Sequence, residues 1–255
     1  MQVSKLILAN CMTEKMTAVN IAFNRFLVPH VKANYRSQEE NGFRVVFDDN
    51  EYSKFSYVFQ ENGIWKDAED LHYHMVEMRM KKWGKKHPLT LTSMANLALT
   101  YSKQGKYEEA GELKLKILNL DKKVLGPEHP DTLSSIENLA VTYSDQGKYK
   151  EAEEMQLKVL NLRKRVLGSE HQDILTSIAH LAVTYSNQGK HEEAVELKQK
   201  VLNLHKVVLG QDHPDTLSSM ASLAVTYSHQ GKCEEAGLLQ LKVSTLPPPT
   251  CSDQR

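Results

Sequence analysis

Apolar residues recur at helical spacing along most of this chain. Between residues 129 and 170, Ile136, Leu139, Ala140 and Tyr143 follow one another at intervals of 3, 1 and 3, which predicts a helix with one apolar face and a buried tyrosine ring. Tyr149, Ala152, Met155, Val159, Leu162 and Val166 then recur at intervals of 3, 3, 4, 3 and 4, which predicts a second amphipathic helix. Pro130 suits a first helical position, where no amide hydrogen is required, and Asp131 suits the positive end of the helix dipole. Arg163, Lys164 and Arg165 fall in the last turns of the second helix, where cations are favoured.

The same pattern opens again at His87, His171 and His213, and a worn copy starts near Val45 with Tyr52, Phe55 and Phe59 on one face. Glycines from Gly63 to Gly231 mark every twenty-first position, alternating between Q-G-K-type turns (Gly63, Gly105, Gly147, Gly189, Gly231) and endings such as V-L-G (Gly84, Gly126, Gly168, Gly210). The unit is therefore 42 residues long and contains two helices. Neither helix pair hides its apolar face alone, so adjacent pairs must stack. The expected fold is all-α, a right-handed α-solenoid of antiparallel helix pairs.

Three segments are expected. Residues 1–44 carry a separate helical pattern through Leu6, Ile7, Ala18, Ile21, Ala22, Phe26 and Leu27 that Pro29 should kink or end. Residues 45–246 form the repeat array, one degenerate and four clearer copies with the last cut short, and 247–255, opening on Pro247-Pro248-Pro249, form a disordered tail. Leu238, Leu239 and Leu241 in the truncated last copy predict an apolar end that either a second copy of the chain, by self-association, or another partner covers.

Composition narrows the function. With 32 basic and 32 acidic residues the chain has no net charge, which argues against nucleic acid or an anionic membrane as partner. Cys11, Cys233 and Cys251 are odd in number and form no C-x-x-C pair, which fits a reducing, cytoplasmic setting. No apolar run approaches the length of a membrane span.

Chemistry finds no seat. The chain has no G-x-x-x-x-G-K-[ST] loop, G-x-S-x-G elbow or H-E-x-x-H helix, so neither an enzyme nor a cofactor is expected. His87, His129, His171 and His213 recur one per repeat, and stacking places them along a line that one metal ion cannot gather. They are expected to start helices, and no metal site is expected. His72 and His74 do not share a helix face.

The face of each first helix opposite its core stripe carries more information. It holds Thr92, Ala95, Asn96, Leu99 and Lys103 in one copy and Ser134, Glu137, Asn138, Val141 and Asp145 in the next. The last two copies place Thr176, Ala179, His180, Val183 and Asn187, then Ser218, Ala221, Ser222, Val225 and His229, at the same positions. Leu99, Val141, Val183 and Val225 make an apolar row that is either a binding floor or packing between neighbouring first helices. Lys103, Asp145, Asn187 and His229 change chemical type from copy to copy, as a selectivity rim would.

The pattern L-A-x-x-Y-x-x-Q-G-K-Y-x-E-A, from Leu97 through Tyr101, Gly105 and Tyr107 to Ala110, resembles the tetratricopeptide repeat. The 42-residue unit and the phrase V-L-G-x-E-H-P-D-T-L, Val124 to Leu133, are similar to the long variant in kinesin light chains and in repeats C-terminal to NB-ARC/STAND signalling NTPases. The resemblance implies a non-enzymatic scaffold whose first helices line a concave groove for an extended or helical peptide. It implies that Asn96 and Asn138 clamp the ligand backbone, while His180 and Ser222 depart from that pattern. Two other settings follow from it: a detached C-terminal sensor region of such an NTPase, or a kinesin-light-chain-like cargo adaptor. Phe23 to Val31 is similar to the helical linker of those NTPases, whereas the heptad coiled coil of kinesin light chains is absent from this sequence.

Overall fold

The structure, a computed structural model, describes residues 28–30, 49–167 and 171–245. Among them, helices follow one another in pairs: α1 (Asp49–Glu61) and α2 (Trp65–Trp83), α3 (Pro88–Lys103) and α4 (Tyr107–Val124), and α5 (Pro130–Asp145) and α6 (Tyr149–Leu167). The series continues with α7 (Gln172–Asn187) and α8 (His191–Val208), then α9 (Pro214–His229) and α10 (Cys233–Thr245). Residues 28–30 are helical, so Pro29 sits within a helical segment. The rest of the expected N-terminal helix, the tail from 247 and Gly168 lie outside the described residues.

Local chemistry sets both ends of the first helices. His87, His129, His171 and His213 are N-caps, each ring Nδ1 accepting the amide hydrogen two residues ahead at 3.2 Å. The imidazole does what a serine or aspartate usually does at that place. At the other end the chain turns through a left-handed residue, φ 77° at Gly147, with nothing within 4 Å of an added Cβ. Backbone conformation, and no shortage of space, therefore requires glycine there.

The chain divides into two compact units, 1–120 and 121–255. In the first, Tyr52, Phe55, Val58 and Phe59 of α1 close on Ala68, Leu71 and Met75 of α2, the face expected of the worn copy. Val76 of α2 joins Met94 and Leu97 of α3 and Ile117 of α4 in a second core. In the second unit, Leu160 of α6, Ile174, Ile178 and Leu181 of α7 and Val201 of α8 pack together, and Val195 and Leu202 of α8 meet Met220 and Leu223 of α9.

Two expectations change. Tyr143 is half-buried with the Lys148 ammonium 5.4 Å from its ring centroid, so truncation costs less than it would for a core ring. On α6 the buried face is rotated from the expected stripe. Ala152, Gln156, Val159, Leu160 and Arg163 are buried, while Met155 and Leu162 are half-buried and Val166 is 56% exposed. A second helix packs against its own first helix and against the next one, so its buried face is too wide for apolar positions alone.

The polar residues on that wide face interlock successive pairs. Arg79, Asp121, Arg163 and His205 occupy one repeat position and are all buried. Each bonds a serine fourteen residues on, in the next first helix: Arg79 Nη1 to Ser93 Oγ at 2.7 Å, Ser135 Oγ to Asp121 Oδ2 at 2.5 Å, Arg163 Nη1 to Ser177 Oγ at 2.7 Å, and His205 Nδ1 with Ser219 Oγ at 2.8 Å. A second clamp is built in the Q-G-K turns. Gln104 and Lys106 grip Glu69 at 2.8 Å each, and Gln188 and Lys190 grip Glu153 at 3.0 and 2.9 Å.

The apolar end expected at α10 is differently arranged. Where α8 presents Val195, Lys198 and Leu202 to α9, α10 carries Gly237, Gln240 and Ser244. Leu239 packs inward, and Leu238 and Leu241 are 62% and 60% exposed at positions that are also exposed in α8, Glu196 and Gln199. The stacking position of α10 is thus polar or small, and its exposed leucines occupy outward positions.

His72 on α2 makes the first unit sensitive to acid. It is 1% exposed with both ring nitrogens unpartnered, and burial, reinforced by the Arg79 charge, lowers its pKa from 6.5 to about 4. A folded-state value below the unfolded one means stability that is present above pH 6.5 and lost as pH falls toward 4. The loss should reach roughly 3 kcal/mol, at about 1.4 kcal/mol per unit. Amide exchange of α1–α3 followed from pH 7 to pH 4 should show it, and His72→Leu should flatten the dependence on the stretch above the carboxylate range. An unchanged slope in the variant would contradict this assignment.

Candidate interaction face

The first helices place the face opposite their core where the sequence puts it, with one exception. On α3, Thr92, Leu99 and Lys103 are exposed and Asn96 is half-buried. On α5, Asn138 and Asp145 are exposed and Ser134 and Val141 half-buried, but Glu137 is only 5% exposed. The single-helix wheel has no knowledge of the neighbouring pairs, and it is Arg163 of α6 that draws this carboxylate inside.

Arg163 Nη1 reaches Glu137 Oε2 at 2.6 Å, Ser177 Oγ at 2.7 Å and the Asp173 carbonyl at 3.0 Å, while Nη2 donates to Ser134 Oγ at 3.1 Å. His180 brings its Nδ1 within 3.4 Å of Glu137 Oε1. Burial alone would raise the Glu137 pKa; the His180 contact and the Arg163 charge outweigh it and hold the carboxyl below its ordinary value. Both members of the pair are thus charged at neutral pH, and they tie α5, α6 and α7 together around a half-buried histidine. Glu137 is consequently a support beneath the face, and the half-buried His180 is the more accessible of the two.

On α7, Val183 is 44% exposed, and on α9 Val225 is 49% exposed, matching Leu99 at 46%. Packing between first helices therefore leaves Leu99, Val183 and Val225 open, whereas Val141, on the helix that contacts α7, is half-buried. The rim is partly engaged: Asn187 Nδ2 donates to Ser144 Oγ at 3.4 Å, and the His229 ring lies edge-on to His191 at 6.1 Å. Ser222 is half-buried and gives its carbonyl to Lys198.

Within the second unit, α7, α8 and α9 surround a cavity of about 270 Å³. Leu175, Thr176, Ala179, His180 and Val183 line it from α7, Lys198, Val201 and His205 from α8, and Asp215, Ser218, Ser219 and Ser222 from α9. Thr176, Ala179, His180 and Val183 of α7 and Ser218 and Ser222 of α9 belong to the face that the helix wheel gives, whereas Leu175, Asp215, Ser219 and the α8 floor lie outside it. Burial lowers the Lys198 pKa. The available signal was the repeat column itself: Lys198 aligns with His72, Lys114 and Gln156, a polar position in every second helix that faces its neighbours.

The sequence profile of the tetratricopeptide repeat matches four overlapping stretches, 52–123, 96–165, 137–206 and 173–242. A solved structure from Podosopora anserina, of kinesin-light-chain type with nearly identical TPR-like repeats, is 33% identical over 76% of this chain and 92% of its own, at a TM-score of 0.60. A variant of that same protein gives 0.62. BtubC (BKLC) from P. vanneervenii is 20% identical, covers 94% of this chain and 98% of its own, and superposes at 0.61, which bears on fold alone. No curated protein sequence matches. The expected all-α solenoid of stacked helix pairs is the fold of these structures. Among the described residues no helix is long and apolar enough to cross a membrane.

Breaking the buried pair should be costly where replacing it whole is not. Glu137→Leu strands the Arg163 charge and should destabilise α5–α7 by about 3–5 kcal/mol, whereas Glu137→Leu with Arg163→Met should recover most of the loss. Urea unfolding of the two variants checks this; equal losses would show that the pair's charges are not the source.

Proposed function

Because this chain belongs to the tetratricopeptide repeat family, we propose that it works as a non-enzymatic interaction scaffold, holding a peptide segment of a protein partner against its first helices. The observation that carries the proposal is the half-exposed apolar pair Val183 and Val225 of the second unit, with Leu99 equally open at the same repeat position of the first, each flanked by a rim position whose chemistry differs in every copy. An apolar surface left open beside polar, variable neighbours marks a contact site. The repeated residues cannot discriminate partners because they are the same in each copy; the unrepeated ones, Lys103, Asp145, Asn187 and His229, can.

Asn96 and Asn138 would hold the ligand backbone through amides that both donate and accept. His180 would add a ring whose position Glu137 sets. A partner chosen by hydrogen bonds and apolar contacts, with mixed rim charge, is neither strongly acidic nor strongly basic overall. The same contacts serve a cargo adaptor of kinesin-light-chain type and a sensor region beside a signalling NTPase. The likeness to the Podosopora anserina structure favours the former setting.

A peptide selected from a random display library on the full chain supplies the test. Replacing Asn96 and Asn138 by alanine should weaken it by about 1–3 kcal/mol. Val183→Asp with Val225→Asp should weaken it by about tenfold or more, and Leu115→Asp on an outward position of α4 should leave it unchanged, all by titration calorimetry. Loss of binding through Leu115→Asp, with the other variants silent, would overturn the assignment of the face.

A further inference from the structure

The cavity floored by α8 holds hydrogen-bonding capacity that the protein does not use. Lys198 is 8% exposed, and its ammonium donates to the Ser222 carbonyl at 3.2 Å and to Thr226 Oγ1 at 2.6 Å. Of its three hydrogens one is left over, and it has no ion pair among the described residues. At the preceding junction a buried cation is treated differently: Arg163 is neutralised by Glu137. Burying a charge without a counter-charge works against folding, so an anion supplied from outside the chain would complete the site.

His205, 7% exposed, lies two helical turns further along α8. Ser219 Oγ lies 2.9 Å from the Asp215 carbonyl and 2.8 Å from His205 Nδ1; when its single hydrogen goes to the carbonyl, it accepts from the ring. In that tautomer the ring hydrogen sits on Nδ1, and Nε2, buried and without a partner, offers a lone pair. Lys198 leans toward Ser222 and Thr226, and His205 toward Ser219 and the first turn of α9, where Asp215 adds an exposed carboxylate to the cavity rim. Val201 lies between them on the floor.

The floor thus runs from a cationic donor, over an apolar stretch, to an acceptor beside a negative charge. Seven residues of helix separate the two polar ends by about 10 Å, the span of about three residues of extended peptide. Resting on the reading of the first-helix face as a peptide site, we propose that this cavity takes a dipolar peptide segment. A carboxylate side chain pairs with Lys198, and a lysine about three residues away donates to His205 Nε2 beside Asp215.

Parallel selections from one random-peptide display library on the full wild-type chain, on Lys198→Met and on His205→Phe test it. Wild-type ligands should carry an acidic residue about three positions from a lysine and bind either variant about tenfold or more weakly. Peptides selected on Lys198→Met should lose the acidic preference and keep the lysine; those from His205→Phe should show the reverse. Lys198→Arg, which keeps the charge, should keep the acidic preference, and thermal melts of each variant identify any loss that comes from unfolding. Ligands that lack the pair, or that bind all folded variants within about twofold, overturn the proposal. If such ligands still fail on Val183→Asp with Val225→Asp, the peptide site on the first helices stands and only the dipolar cavity is lost. A library that yields no ligand overturns both.

Discussion

Each second helix from α2 to α8 buries a polar side chain, and that side chain finds its partner on the next first helix. Arg79, Asp121, Arg163 and His205 share one position and bond Ser93, Ser135, Ser177 and Ser219. The apolar contacts between pairs supply attraction without much direction. The polar links supply register, since a buried donor or acceptor that misses its partner is expensive. Because the serine is constant and its partner changes from guanidinium to carboxylate to imidazole, each junction has its own electrostatic character inside a common geometry. Glu137 beside Arg163 at one junction, and the unneutralised Lys198 two turns from His205 at the next, are consequences of that freedom.

The architecture was legible because it is repeated. Helical spacing, the glycine ladder and the histidine-proline openings each occur several times, so copies check one another, and the structure places helix ends and N-caps accordingly. What the sequence did not disclose depends on two neighbours at once. Arg163 reads as a last-turn cation on its own helix and becomes a buried ion-pair partner only when α5 and α7 are both present. Glu137 follows it inside for the same reason. Tyr143 fails in the opposite sense: its spacing is that of a core residue, but the Q-G-K turn leaves its ring half open under Lys148.

The candidate face was partly legible. Its apolar row and rim follow from the helix wheel, whereas the α8 floor under His180 and Ser222 does not, because those residues belong to a different helix and enter the cavity only through stacking. Residues that repeat build the stack, and residues that vary at fixed positions give each segment of the face its chemistry. Function in such a chain is a matter of substitutions at a few positions of an otherwise constant frame.

The measurement that tests this account most directly is methyl NMR of the full chain, comparing free protein with protein saturated by a display-selected peptide. The account predicts shifts at Leu99, Val183 and Val225, with the methyls of Leu115, Leu157 and Leu241 on outward positions of the second helices unmoved. Shifts confined to Leu115, Leu157 and Leu241, with the first-helix methyls silent, would contradict it.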